Sequence, residues 1–284
     1  MMKFKIYTLL LALSAAWSLQ SCDNDDNDSI SVPTELQNAF SSKYPNAANV
    51  KWETKSGYYV ADFYDGHEAS AWFTQAGEWK MTETDIPYKT LPQAVKTSFE
   101  ASEYASWKID DVDKLDRQGL ETVYVIEVEK QNQEIDLYYS TEGILIKSIV
   151  DVDNDNDDYL PTVQLTAKMK EFILNKYQGA QIVEVDIEED NNALRGFTEV
   201  DIIHDHISKE IMFNKNGDWY STSWDVNVIP NHIGNIISQK YAGYQIDDAE
   251  FFDMAEGTDY YLIELEKNNA PDIKIKIAED GTEL

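Results

Sequence analysis

"YVIEVEKQN" at Tyr124 to Asn132 returns as "YLIELEKNN" at Tyr261 to Asn269, and "QAGEW" ending at Trp79 returns as "KNGDW" ending at Trp219. Repetition on this scale marks a duplicated supersecondary unit before any single residue is interpreted. Four units emerge when the chain is read outward from these stretches. In the first, Leu36, Phe40 and Tyr44 form one apolar helical stripe beginning near Pro33. Met169, Ile173 and Tyr177 form it in the third unit, and Ile233, Ile237 and Tyr241 in the fourth. In the second unit Pro92, Val95 and Phe99 carry the stripe, but Tyr104 falls one residue late and predicts a shifted helix end.

After each predicted helix come alternating segments rich in Val, Ile, Tyr, Trp and Thr, such as Tyr58 to Tyr64 and Val123 to Lys130. Asp65-Gly66 marks a tight hairpin, and Gly77, Gly143, Gly217 and Gly281 take the next turn of the four units. One helix followed by meandering strands gives an α+β fold with antiparallel sheets. Odd units resemble odd ones and even units resemble even ones, so a two-unit domain has itself been duplicated. The expected division is 1–21 leader, 22–31 acidic tether, 32–150 first domain, 151–159 acidic linker and 160–284 second domain. The units within the domains run 32–90, 91–150, 160–228 and 229–284. In each domain the helices are expected to cover one sheet face and to leave the other open.

"KYPNAANVKWE" from Lys43 to Glu53, then "YYVADFY", "ASAWFTQAGEWK" and Leu91-Pro92, resembles the PepSY-like family related to β-lactamase-inhibitor proteins. The likeness spans nearly all of the chain after the leader and is clearest in the first two units. It implies two β-lactamase-inhibitor-like (BLIP-like) domains in which helices pack on one face of an antiparallel sheet. The resemblance also implies a concave sheet face that binds, no catalytic activity, and a secreted or lipid-anchored envelope protein. The third unit departs from the pattern with "KYQGAQIVEVD". Inhibition of a particular enzyme does not carry over, because inhibitor contacts lie on variable side chains.

The amino-terminal stretch reads as an address. Lys3 and Lys5 precede the apolar run Ile6 to Trp17, which is too short to span a bilayer, and small residues close it at Ser21-Cys22. Leu19-Gln20-Ser21-Cys22 resembles a bacterial lipobox with an unusual Gln20, which makes Cys22 the lipid attachment residue. Cys22 is the chain's only cysteine, so no disulfide forms within one molecule. Two acyl chains suffice for anchoring, at roughly 0.8 kcal/mol per buried methylene. The expected location is the outer membrane of a didermic bacterium, facing the periplasm or the cell surface.

Charge narrows the partners. The chain carries a formal charge of -30, and removal of Lys3 and Lys5 with the leader takes it to -32. Nucleic acid and anionic lipid surfaces are therefore poor partners, and basic peptides or proteins are good ones. An apolar fraction of 43% argues for packed cores despite the acidity.

Candidate chemistry is sparse. His204 and His206 flank Asp205 as a strand-borne metal pair would, but they align with the Asp65-Gly66 hairpin tip and read as a solvated turn. Asp151, Asp153, Asp155 and Asp157 alternate like calcium-loop carboxylates, yet Asn156 and Thr162 stand where such a loop needs Gly and Glu. The stretch reads first as a linker, with weak calcium binding as the alternative. No activated nucleophile and no phosphate-cradling loop is marked. Aromatic side chains are the more informative group, and Trp52, Tyr59, Trp72, Trp79, Trp219 and Trp224 are the candidate partner-binding residues. The sequence thus points to a non-enzymatic envelope lipoprotein that binds a peptide or protein of basic character through its sheet faces, without a cofactor. A calcium- or metal-responsive structural module is the alternative, and a hydrolase with an unmarked carboxylate site the third reading.

Overall fold

The computed structural model describes residues 6–7, 30–131, 133–151, 163–189, 191–268 and 270–284. The leader, Cys22, the tether and the side chains of Asp151, Asp153, Asp155 and Asp157 lie outside the described residues, apart from Ile6–Tyr7 and the backbone of Asp151. Two sheets account for the fold. The first contains β1 (Ile6–Tyr7), β2 (Ala48–Lys55), β3 (Tyr58–Tyr64), β4 (Glu68–Phe73), β5 (Trp79–Asp85), β6 (Lys108–Arg117), β7 (Val123–Lys130), β8 (Gln133–Ser140) and β9 (Leu145–Asp151). From β2 to β9 it is an antiparallel meander, and β1 pairs in parallel with β9 at its outer edge.

The second sheet runs in sequence order through β10 (Gln181–Ile187), β11 (Thr198–His204), β12 (Ile207–Phe213), β13 (Trp219–Asp225), β14 (Gln245–Met254), β15 (Tyr260–Glu266) and β16 (Ile273–Ala278). Helices α1 (Thr34–Lys43), α2 (Gln93–Ala101), α3 (Ala167–Lys176) and α4 (Asn231–Lys240) open the four units, so the expected α+β architecture of two helix-backed antiparallel sheets is present. Pro33, Pro92 and Pro230 precede three of the helices, where fixed φ and a missing N–H are tolerated. Thr166 caps the fourth, its hydroxyl accepting from the Met169 N–H. Tyr104 falls late because α2 ends at Ala101 and a separate 3-10 turn, capped by Ser102, carries the ring back into the core.

Each helix buries its stripe on one sheet face. Leu36 and Phe40 pack on Ala61, Phe63, Ala71 and Phe73, and Val95 and Phe99 on Val112, Ile126, Leu137 and Tyr139. The turn glycines set how closely sheet and helix approach. Gly143 has φ +78°, and a Cβ there would lie 2.4 Å from the Ala94 carbonyl oxygen of α2, so a side chain is excluded on two counts. At Gly281 the same position would meet Ile236 of α4 at 2.5 Å.

The opposite face does not stay open in the first domain, which corrects the expectation from the sequence. Val60, Trp72, Met81, Leu115, Val123, Val125 and Tyr138 project from the helix-free face and form one apolar cluster with Val183 and Ile203 of the second sheet. Beside it the Arg117 guanidinium donates to Glu184 at 3.0 Å and to the Val183 carbonyl at 2.7 Å. Lys147 approaches the other Glu184 oxygen at 2.8 Å, and the Glu121 N–H donates to the Ile182 carbonyl. The β10 edge of the second sheet is therefore docked onto the helix-free face of the first.

Candidate functional site

Strand register decides which carboxylates share a face. Asp113 pairs with Asp85 and Val125, and Glu127 pairs with Asp136, so these acids project from the helix-free side of the first sheet. Glu83 lies opposite Leu115, and Asp62 accepts from the Ser70 hydroxyl at 2.7 Å on the same side. Asp113 is 4% exposed and Glu127 7%. Burial and then the charges of Glu83, Asp111, Glu127 and Asp85 push the Asp113 carboxyl up to about 9. Burial followed by Asp136 and Asp111 pushes Glu127 up to about 8. Each carboxylate thus opposes ionisation of the next, a configuration relieved by a proton or by an incoming cation.

The second sheet carries a related arrangement. Glu199, Asp201 and Glu210 project together from its helix-free face, and burial with the charges of Glu210 and Asp201 pushes Glu199 up to about 10. Glu184 behaves differently. Burial opposes its ionisation, but Lys147 and Arg117 overcome that cost and hold it ionised. Cations at this junction are part of the domain contact.

The helix-bearing side holds a second constellation, built twice. Lys43 lies 3.6 Å from the centre of the Trp79 ring, the Trp79 indole donates to the Thr82 hydroxyl at 2.8 Å, and the Tyr44 hydroxyl bonds to the same group. In the third unit Lys176 lies 3.3 Å from the Trp219 ring centre, and Trp219 and Tyr177 both donate to Thr222. Burial lowers the Lys43 pKa, with Asp116 opposing the shift. A cavity of about 460 Å3 opens here, lined by Lys43, Tyr44, Trp79, Thr82, Thr84 and Asp116 together with Arg117 and Leu120.

The structure brings together three of the six aromatic candidates. Trp52, Tyr59 and Trp79 pack against one apolar cluster beneath α1, with Trp79 under Lys43, and Trp219 lies under Lys176 in the second sheet. Trp224 packs on Phe251 under Lys209. Trp72 alone projects from the helix-free face, where it is buried in the junction between the sheets. His204 and Ile207 close a two-residue turn with φ of 53° at Asp205 and 60° at His206. His204 packs on Tyr177 while His206 reaches Glu142, so the two rings diverge. No group of three His, Cys, Asp or Glu able to hold a metal occurs among the described residues. Asp113 and Glu127 escaped notice in the sequence because 53 acidic residues hide them; the available signal was the carboxylate of Glu127 inside the apolar run "VIEVE", whereas the charged stretch "DVDKL" gave none for Asp113.

The family model described as beta-lactamase-inhibitor-like, PepSY-like matches residues 57–147 and 197–283, one stretch in each sheet. The chain belongs to this family. Solved structures of other chains resemble parts of it, each over less than half of its length. A BLIP-like protein from Bacteroides fragilis is 39% identical over 49% of this chain and 100% of its own, with a TM-score of 0.45. A DUF2874 family protein from Bacteroides ovatus is 32% identical over 46% of this chain and 96% of its own, with a TM-score of 0.44. A protein from Bacteroides eggerthii, provisionally assigned to the periplasm, is 28% identical over 44% of this chain and 94% of its own, with a TM-score of 0.42. No curated protein matches the chain. No helix among the described residues is long and apolar enough to cross a membrane.

Proposed function

We propose that this protein is a non-enzymatic, lipid-anchored module of the bacterial envelope that binds a basic peptide or protein through the carboxylate-lined, helix-free faces of its sheets. The observation that carries the reading is the set of exposed or half-buried carboxylates Glu83, Asp85, Asp111 and Asp136 around the buried Asp113 and Glu127, because a lysine or arginine side chain from a partner offsets several of these charges at once. The inhibitor-like description of the PepSY-like family supports a protein partner. A formal charge of -30 steers cationic partners over distances of about one Debye length, roughly 8 Å at physiological salt.

Two experiments test the two halves of this reading. Replacing Cys22 with Ser is expected to move the protein from the membrane to the soluble fraction, and an unchanged membrane fraction counts against the anchor. Replacing Asp85 and Asp136 with Asn is expected to abolish binding of a fluorescent lysine-rich peptide. Binding that persists in that double variant removes the carboxylate face from the account.

A further inference from the structure

The second domain contributes Val183 and Ile203 to the apolar cluster on the first domain, with Glu184 between the cations Arg117 and Lys147. The same docking edge exists a second time. "NVKWE" at Asn49 to Glu53 aligns with "IVEVD" at Ile182 to Asp186, placing Val50 at the position of Val183 and Lys51 at that of Glu184. Register agrees: Lys51 pairs with Asp62 as Glu184 pairs with Asp201, each just after a bulge, and Tyr64 pairs with Ala48 as Ile203 pairs with Gln181. Val183 and Ile203 are 0% and 4% exposed, whereas Val50 and Tyr64 are 38% and 48% exposed.

The receiving surface is duplicated in part: Val60, Met81 and Tyr138 are replaced by Glu199, Ser221 and Lys276, while its central apolar positions stay apolar. Through the ladders β5 to β8 and β13 to β16, Leu115, Val123 and Val125 correspond to Phe252, Tyr260 and Leu262, and Arg117 to Met254. The three apolar residues of the first domain and Arg117 are buried under the second domain, while their four counterparts are half-buried and Phe252 and Tyr260 stack on one another. Charge changes on both partners in step. Where the used edge carries Glu184 and its surface Arg117, the unused edge carries Lys51 and its surface Met254, with Glu256 and Asp259 on the adjoining turn. Lys276 on that surface lies over the Tyr260 ring at 4.7 Å.

We propose that a second copy of this chain docks its Val50, Lys51 and Tyr64 on the Met254, Phe252, Tyr260 and Leu262 surface, repeating between molecules the contact that joins the two domains within one. Edge and surface lie on different parts of the chain, so the contact is head-to-tail and propagates from copy to copy.

Sedimentation velocity of the Cys22→Ser chain over a concentration series tests this. The wild-type surface is expected to give a sedimentation coefficient that rises with concentration. Val50→Asp with Tyr64→Asp, and separately Leu262→Asp, are each expected to weaken association by about tenfold or more, a loss of about 1.4 kcal/mol per tenfold. Mixing the two variants is expected to restore a dimer and nothing larger, because each retains one competent end. Thermal melting checks that the variants fold, and Met254→Asp replaces Leu262→Asp if the latter does not. A chain that stays monomeric into the high-micromolar range, variants that associate like the parent, or a mixture that yields no dimer would each overturn the proposal.

Discussion

Arg117 and Glu184 are 67 residues apart in sequence and 3.0 Å apart in space, across the junction of the two sheets. Both side chains are buried, and Lys147 completes the set at 2.8 Å. Among the described residues, removing Glu184 leaves buried Arg117 with only the Val183 carbonyl and Lys147 with only the longer ion pair to Asp186 at 3.7 Å, so Glu184→Ala is expected to cost about 3 kcal/mol in denaturant unfolding. Glu184→Gln, which keeps the shape, should cost less. A loss under about 1 kcal/mol for the alanine variant would mean that the junction is open to water.

Gly143→Ala is expected to be far more damaging than Gly57→Ala. Both positions have positive φ, but a Cβ at Gly143 meets the Ala94 carbonyl oxygen at 2.4 Å and one at Gly57 meets nothing within 4 Å. Backbone strain alone accounts for about 1 kcal/mol at Gly57, while Gly143 must also push α2 off the sheet. Comparable melting temperatures for the two variants would show that α2 is not held as described.

Thr222 is fully buried and receives both the Tyr177 hydroxyl at 2.8 Å and the Trp219 indole at 3.0 Å. Thr222→Val keeps the volume and leaves two donors without their acceptor, a cost of about 1–3 kcal/mol for each buried group. The expected signature is that loss of stability together with a change in Trp219 emission. An unaltered spectrum and stability would show that the donors find water instead.

Stability should depend on pH with an unusual sign. The carboxyl groups of Asp113 and Glu127 have folded values of about 9 and about 8, well above the ordinary unfolded values of roughly 4. Between these limits the folded state binds more protons than the unfolded one, so this contribution is full below pH ~4 and is lost as pH rises toward the folded values. Melting temperature is expected to fall between about pH 5 and pH 9, and Asp113→Asn is expected to flatten the slope. A melting temperature that climbs across this window would contradict the assigned crowding.

Helices and strands were legible because their periods are local: the Leu36, Phe40, Tyr44 stripe and the run Tyr58 to Tyr64 each contain their own evidence. The late Tyr104 likewise announced a broken helix end. The domain junction was not legible, since Val50 and Val183 hold the same place in the repeat and differ only in what lies across from them. Asp113 and Glu127 were hidden for a related reason. A bulge between Ile109 and Val112 shifts the alternation in β6, so only the paired register assigns the face of Asp113. The packing of the aromatic residues was not legible either, because tryptophan fills a helix-sheet layer as readily as it marks a binding surface.

Calorimetric titration of the Cys22→Ser chain with a lysine-rich peptide and with a glutamate-rich peptide of equal length, each at low and high salt, tests the binding claim most directly. The account predicts saturable binding of the basic peptide alone, weakened by salt and absent from the variant carrying Asp85→Asn and Asp136→Asn. Equal heats for the two peptides, or basic-peptide binding that survives both high salt and loss of these carboxylates, would contradict it.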